Sequence, residues 1–197
     1  MTTTPEVRIL KGEEVEQYLD DLALLRIQVF REWPYLYDGN LVYERRYMAS
    51  YRNNPDAVLI AAFDQGKLVG ASTGTPLMAH ASEFATPLEG RGIDMERSFY
   101  CAESILLPDY RGQGLGHSFF DVREAHAREL GMKASIFCAV TRPDDHPDRP
   151  DRYRPLDPFW KKRGYTPITG CVAHFSWCDL GADKESLKPL QIWHRGL

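Results

Sequence analysis

Cysteine is scarce in this chain, at 4 of 197 residues, and no two form a Cys-x-x-Cys pair, which argues against a zinc knuckle. Cys101, Cys138, Cys171 and Cys178 fall on expected strands or at strand ends. In a reducing compartment they read as small buried residues; Cys138 as a nucleophile is the weaker alternative. The 6 histidines show no ligand spacing, so no metal is expected. Basic charge is not in excess: 24 Lys and Arg against 28 Asp and Glu leave a net charge of −4, which argues against broad nucleic-acid binding. No apolar run approaches the roughly 18 residues of a membrane span. The first residues, Met1-Thr2-Thr3-Thr4-Pro5-Glu6, lack the basic start and apolar core of a signal peptide. A cytoplasmic chain without a membrane partner is therefore the expectation.

Apolar residues make up 43% and aromatics 12% of the chain, enough for the core of a single domain spanning residues 1–197. Val7-Arg8-Ile9-Leu10 reads as a first strand. Val15 to Glu32 carries Val15, Leu19, Leu22, Ile27 and Phe30 at helical spacing, and Trp33-Pro34-Tyr35-Leu36-Tyr37-Asp38-Gly39 breaks it. A second helix is expected over Leu41 to Arg52. Strands follow at Ala57 to Phe63 and Leu68 to Thr75, joined by a hairpin at Asp64-Gln65-Gly66-Lys67. Pro76 to Arg97 shows no clear period. Phe99 to Leu107 is a strand, Leu115 to Leu130 a helix stopped by Gly131, and Ala134 to Val140 another strand. Prolines 143, 147, 150, 155 and 158 exclude helix or central strand from Thr141 to Pro158. A short helix at Asp157 to Arg163 precedes strands near Pro167 to Cys178 and Leu190 to His194. The order β-α-α-β-β-β-α-β-α-β-β is that of an α/β sandwich of mixed strands.

Arg111-Gly112-Gln113-Gly114-Leu115-Gly116 joins the Phe99 strand to the Leu115 helix through Pro108-Asp109-Tyr110. Glycines at alternate positions leave backbone N–H groups bare, and a helix starting there adds unpaired N–H groups and a positive dipole end. The result suits a pyrophosphate. A dinucleotide-binding turn needs a small residue where His117 stands, and a P-loop needs a Gly-Lys-Ser/Thr that is missing. A tight turn without a ligand is the remaining alternative.

Ile105-Leu106-Leu107-Pro108-Asp109-Tyr110-Arg111-Gly112-Gln113-Gly114-Leu115-Gly116 resembles the signature of the GCN5-related N-acetyltransferase (GNAT) superfamily. Phe159-Trp160-Lys161-Lys162-Arg163-Gly164-Tyr165 is similar to the aromatic helix that ends in Gly-Phe/Tyr in that family. The resemblance implies a GNAT-like mixed, splayed β-sheet flanked by helices on both faces. Two central strands part, here those of Phe99–Leu107 and Ala134–Val140. It implies an acetyl-CoA-dependent N-acetyltransferase acting on a small-molecule or protein amine, with a homodimer as a possible assembly. By matching positions, Ile105, Leu106, Leu107, Arg111, Gly112, Gln113, Gly114, Leu115 and Gly116 would bind the cofactor. A backbone N–H at Ser104 to Leu106 would face the oxyanion.

The acceptor amine, with a reference pKa of about 10.4, must lose a proton before attack. Glu103 is the one acid in the run Cys101-Ala102-Glu103-Ser104-Ile105-Leu106-Leu107, and burial there suits proton transfer. Its alternative role is an ion pair with an arginine such as Arg142. Where relatives carry a tyrosine as acid, this chain has Trp160, whose indole does not titrate usefully. Tyr153 is the substitute acid, or the thiolate leaves unassisted, and Trp160 is assigned to the pantetheine arm. The resemblance places Trp33, Tyr35 and Tyr37 along the acceptor side, with a packed helix corner as the alternative. Arg142 is assigned to a carboxylate on the substrate, with pairing to the loop's own aspartates as its alternative. A non-catalytic acyl-CoA-binding module is the rival function.

Overall fold

Val58–Asp64 reads Val-Leu-Ile-Ala-Ala-Phe-Asp, apolar at six successive positions, as a strand covered on both faces must be. In the computed structural model, which describes residues 4–197, it is β2 of a seven-stranded sheet. Leu59, Ala61 and Phe63 enter one core and Val58, Ile60 and Ala62 the other, following the two-residue strand period.

The elements are β1 (Glu6–Leu10), α1 (Glu13–Gln17), α2 (Leu19–Phe30), α3 (Leu41–Ser50), β2, β3 (Lys67–Pro76), α4 (Ala81–Leu88), β4 (Ser98–Leu106), α5 (Leu115–Glu129), β5 (Ala134–Val140), α6 (Asp157–Lys162), β6 (Thr166–Cys178) and β7 (Glu185–Gly196). Short 3-10 turns lie at Tyr51–Asn53, Leu77–His80 and Pro108–Tyr110. The sheet order is β1-β2-β3-β4-β5-β7-β6, with only β4 and β5 parallel. Helices α1 to α3 cover one face of β1 to β3, α5 and α6 the other, and α4 closes the core over β5 to β7.

The splayed α/β sheet is thus present, with four departures from the expected elements. The helix expected over Val15 to Glu32 breaks at Tyr18, whose φ of −103° and ψ of 11° are not helical. The segment from Pro76 to Arg97 contains α4, which buries Phe84 and Leu88 despite Pro87 in its last turn. The last strand runs from Glu185 rather than Leu190, because β6 pairs with it from Cys178 back through Val172. In α5 the buried face runs through Phe119, Phe120, Arg123, Glu124 and Ala127, while Val122 and His126 are half-buried. Two charged residues displace the apolar stripe because each finds partners inside. Among the described residues no helix is long and apolar enough to cross a membrane.

The sheet opens at its centre. β4 pairs with β5 only at Ser98↔Ala134, Phe99↔Ser135 and Tyr100↔Ile136, although β4 continues to Leu106 and β5 to Val140. β5 is meanwhile paired with β7 along its whole length, and β4 with β3 as far as Leu106. Ser104, in the middle of a central strand, is consequently exposed.

Close to this opening, β3 needs a residue without a side chain. A Cβ on Gly74 would collide with Cε1 of Phe99 and lie 3.2 Å from the Tyr100 carbonyl. Gly74→Ala is therefore expected to lower stability by about 1–3 kcal/mol through overpacking. Urea unfolding checks this, and an unchanged midpoint would show that β3 yields there at no cost.

Candidate active site

The glycine stretch lies at the mouth of the opening. Tyr110 anchors its lead-in through a 2.7 Å hydrogen bond to Asp64, and the Gln113 amide donates to the Asp109 carbonyl at 2.7 Å. Gly112 and Gly114 have φ of +74° and +89°, and a Cβ on either would meet nothing within 4 Å. The positive φ, rather than crowding, calls for glycine there. Gly114 caps α5 without a side-chain bond, and the first turn carries no acidic residue. None of the backbone N–H groups of residues 112–116 donates to a backbone carbonyl among the described residues. With residues 112–114 exposed at the start of α5, they form a positively polarised surface. Arg111 sits beside it, bonded to the Leu106 carbonyl at 3.1 Å and to Glu32 at 2.8 Å.

A register shift in β4 sets what faces the opening. Thr75 pairs with Tyr100 and Thr73 with Glu103, so β4 takes one residue more than β3 over this stretch. The bulge brings Glu103 to the face of α2, while Ser104 turns its side chain toward Arg123 of α5. Beyond the bulge the backbone alternates. The Leu107 N–H donates to Val69 of β3 at 3.0 Å, whereas the Leu106 carbonyl accepts from Arg111 instead. Glu103, Ile105 and Leu107 thus direct their backbone groups at β3, and Ser104 and Leu106 direct theirs into the opening. The Ile105 side chain is buried against α2 and α3; Leu106 and Leu107 are half-buried.

Glu103 is buried and ion-paired with Arg26 of α2, not with Arg142. Arg26 also pairs with Glu44 of α3, which accepts a 2.7 Å hydrogen bond from the Tyr37 hydroxyl. One guanidinium serves two buried carboxylates. Burial alone would lower the Arg26 pKa, but the facing Tyr47 and Glu44 outweigh it and hold the charge. One oxygen of Glu103, Oε1, has no hydrogen-bond partner among the described residues although fully enclosed. Tyr37 is pushed well above the usual phenol range by burial and then by Glu44.

Tyr35 is pushed up to about 12, first by burial and then by Cys138. Its ring lies 4.4 Å from Phe30 and 5.7 Å from Trp177. Arg142 pairs neither with Glu103 nor with the aspartates of its own loop. Its guanidinium donates to the carbonyls of Pro34 (2.9 Å) and Tyr35 (2.7 Å) and to both oxygens of Asp179, a residue outside its own loop. It is a strap holding the 33–38 segment to the end of β6, so most of its donors are already used. Arg149 does pair within the loop, with Asp144. Tyr153 packs edge-on against Trp33 at 6.0 Å, and burial, then Asp157, raises its pKa, so the phenol stays protonated at neutral pH. Trp160 is half-buried in an aromatic cluster, 4.9 Å from Phe137 and 5.2 Å from Trp193. Its neighbour Phe159 touches the start of α5, with Cζ 3.4 Å from the position of a Cβ on Gly116. Burial drives the Cys138 thiol far upward, which leaves no thiolate for nucleophilic work. No cluster of metal-ligating side chains occurs among the described residues.

The sequence model of the Acetyltransferase (GNAT) family matches residues 25–150, nearly two thirds of the chain. The chain belongs to the GNAT family. No curated protein sequence matches it. Among solved structures, a candidate acetyltransferase from Acinetobacter baylyi superposes with a TM-score of 0.66 at 14% identity, covering 100% of this chain and 95% of that one. A Salmonella typhimurium structure described with its cofactor acetyl-CoA gives 0.63 at 11% identity, covering 99% and 95%. A ribosomal-protein-alanine N-acetyltransferase from Brucella melitensis gives 0.62 at 14% identity, covering 98% and 99%. At such identities the likeness is one of fold.

Within this GNAT chain, sequence reasoning missed Arg26, Glu44 and Arg123. Arg26 had a faint signal, since it lies in the apolar stripe of α2 between Leu22 and Phe30. Arg26→Leu would leave Glu44 and Glu103 buried without a counter-charge. A loss of about 3–5 kcal/mol is expected at neutral pH. Part should return on acidification, because protonation removes the uncompensated charge of the stranded carboxylates. Urea unfolding at two pH values checks this; a loss independent of pH would contradict the shared-charge reading.

Proposed function

We propose that this GNAT chain moves an acetyl group from acetyl-CoA to a primary amine of a small molecule or protein, by direct attack in a ternary complex. The observation that carries the reading is the parting of β4 from β5 after Tyr100, with an unfilled set of backbone donors at its mouth. The residues present suit coenzyme A. Bare amides from Gly112 to Gly116 fit a diphosphate, and the outward backbone groups of Ser104 and Leu106 fit the amide-bearing pantetheine arm and the thioester oxygen. Leu107, Arg111, Gln113, Leu115 and Trp160 would line this path, whereas Ile105, with its backbone groups facing β3 and its side chain buried, would support it from behind.

On the opposite face, Glu103 would take the proton of the acceptor ammonium through Oε1, the oxygen left free by Arg26. The neutral amine then attacks the thioester carbonyl carbon, a C–N bond forms, the C–S bond breaks to release the coenzyme A thiolate, and the nitrogen gives up its surplus proton to water, from which the phenol of Tyr153 is restored. Tyr153, protonated at neutral pH, would return a proton to the thiolate. Tyr35 and Tyr37 would flank the amine.

The non-catalytic acyl-CoA-binding module keeps some support from the Arg26–Glu103 pair, which already occupies one carboxylate oxygen of Glu103, and from Trp160 at the position of the usual tyrosine. Thiol release from acetyl-CoA over a panel of amines separates the two; tight binding without turnover on any amine supports the module. Gly114→Val is expected to weaken acetyl-CoA binding by about tenfold or more, since a β-branched side chain resists φ of +89° and covers the amides. Calorimetry reads this, and full affinity in the variant would count against the cradle. Glu103→Gln should slow acyl transfer across roughly pH 6–9, and an unchanged rate would remove Glu103 as the base.

A further inference from the structure

Arg123 of α5 is the largest fully buried side chain, at 1% exposure, and no ion pair among the described residues includes it. A guanidinium enclosed without a carboxylate is costly, so its other bonds must account for it. Nη1 donates to the carbonyls of Glu103 at 2.8 Å and Thr73 at 3.3 Å, and Nη2 to the Ser104 hydroxyl at 2.9 Å. Its face lies 4.5 Å from the Phe120 ring centroid. Both carbonyls belong to the register shift, where the extra residue of β4 disturbs the ladder. The Ser72 hydroxyl adds a second donor to the Glu103 carbonyl at 2.8 Å.

We propose that Arg123 is a positioning residue for acyl transfer: it supplies the hydrogen bonds that the β4 bulge disturbs, and thereby holds the Glu103–Ser104 peptide with its N–H aimed at the thioester carbonyl. In a trans peptide the N–H points opposite to the C=O. The Glu103 carbonyl is fixed on the β3 side by Arg123 and Ser72, so the Ser104 N–H is fixed toward the gap left by β5. Two donors on one carbonyl also polarise the peptide and strengthen the N–H at its other end. The inference rests on the acetyl-CoA reading above, and adds that a side chain of α5, out of reach of the substrate, tunes the oxyanion donor.

Infrared difference spectroscopy of the full-length protein with acetyl-CoA, isotope-labelled at the acetyl carbonyl, tests it without knowledge of the acceptor. A directed N–H donor lowers the carbonyl stretching frequency of the bound thioester. In the wild-type protein the band should move down relative to free acetyl-CoA. Arg123→Lys keeps the charge but cannot reach both carbonyls and the hydroxyl, and most of the displacement should vanish while calorimetric affinity stays near wild type. Ser72→Ala removes the smaller donor and should give a smaller loss in the same direction. It also decides the matter if Arg123→Lys does not fold. Once an acceptor is known, kcat of Arg123→Lys should fall by about tenfold or more with little change in KM for acetyl-CoA. A wild-type band that does not move, or a displacement unchanged in every folded variant of the pair, overturns the role of Arg123 and leaves acetyl-CoA binding standing. No binding by the wild-type protein overturns the functional reading itself.

Discussion

Three paired residues hold β4 to β5, and the rest of the molecule follows from how few they are. β4 remains attached to β3, and β5 to β7, so each half of the sheet keeps its own hydrogen-bond partners while the two halves part. A parallel pair left open in this way would strand backbone donors and acceptors in the interior. The structure avoids that by exposing them: Ser104 faces solvent and Leu106 passes its carbonyl to Arg111. What remains is a slot whose walls carry backbone polarity and whose mouth is the glycine turn before α5. On the function proposed above, this slot would take an extended, amide-bearing, phosphorylated ligand through backbone groups before any particular side chain is considered.

Side chains then divide the two faces of the slot. On one face Arg26, Glu44, Glu103 and Tyr37 form a buried network in which two carboxylates share a single guanidinium. On the other, Glu124 receives Arg163, Arg195 and the Tyr165 hydroxyl, and Tyr165 reaches Ser135 of β5 at 2.7 Å. Arg123 stands between them at the bulge. Buried ionic networks add little net stability, because desolvation consumes most of the Coulomb gain. Their value here lies in direction: each charge fixes an atom of β4 or β5 where the strands part.

Much of this was legible in the sequence. The glycine spacing with Pro108-Asp109-Tyr110 ahead of it, the hairpin turn between β2 and β3, and the lone acid in β4 are local signals, and local signals survive without the fold. What escaped was set by tertiary contact. α4 is short and ends through Pro87, so its period is too brief to stand out, and it is held by Tyr100 and Phe175 at ring distances of 4.9 and 6.3 Å. The partner of Glu103 was sought at Arg142 in a loop, whereas it is Arg26 of α2, because the choice among 24 basic residues depends on where α2 crosses the sheet. Arg123 was invisible for the opposite reason, since a charged residue within a helix is ordinarily assigned to its wet face. Only the register shift of β4 creates a need for it inside.

Hydrogen exchange of the backbone amides between Gly112 and Gly116, with and without coenzyme A, bears most directly on the central claim. In the free protein these amides lack carbonyl partners and should exchange rapidly. With coenzyme A present they should become the most strongly protected amides outside the sheet, together with those of Ser104 and Leu106. Protection already complete without the ligand, or coenzyme A binding that leaves this turn untouched, would contradict the account.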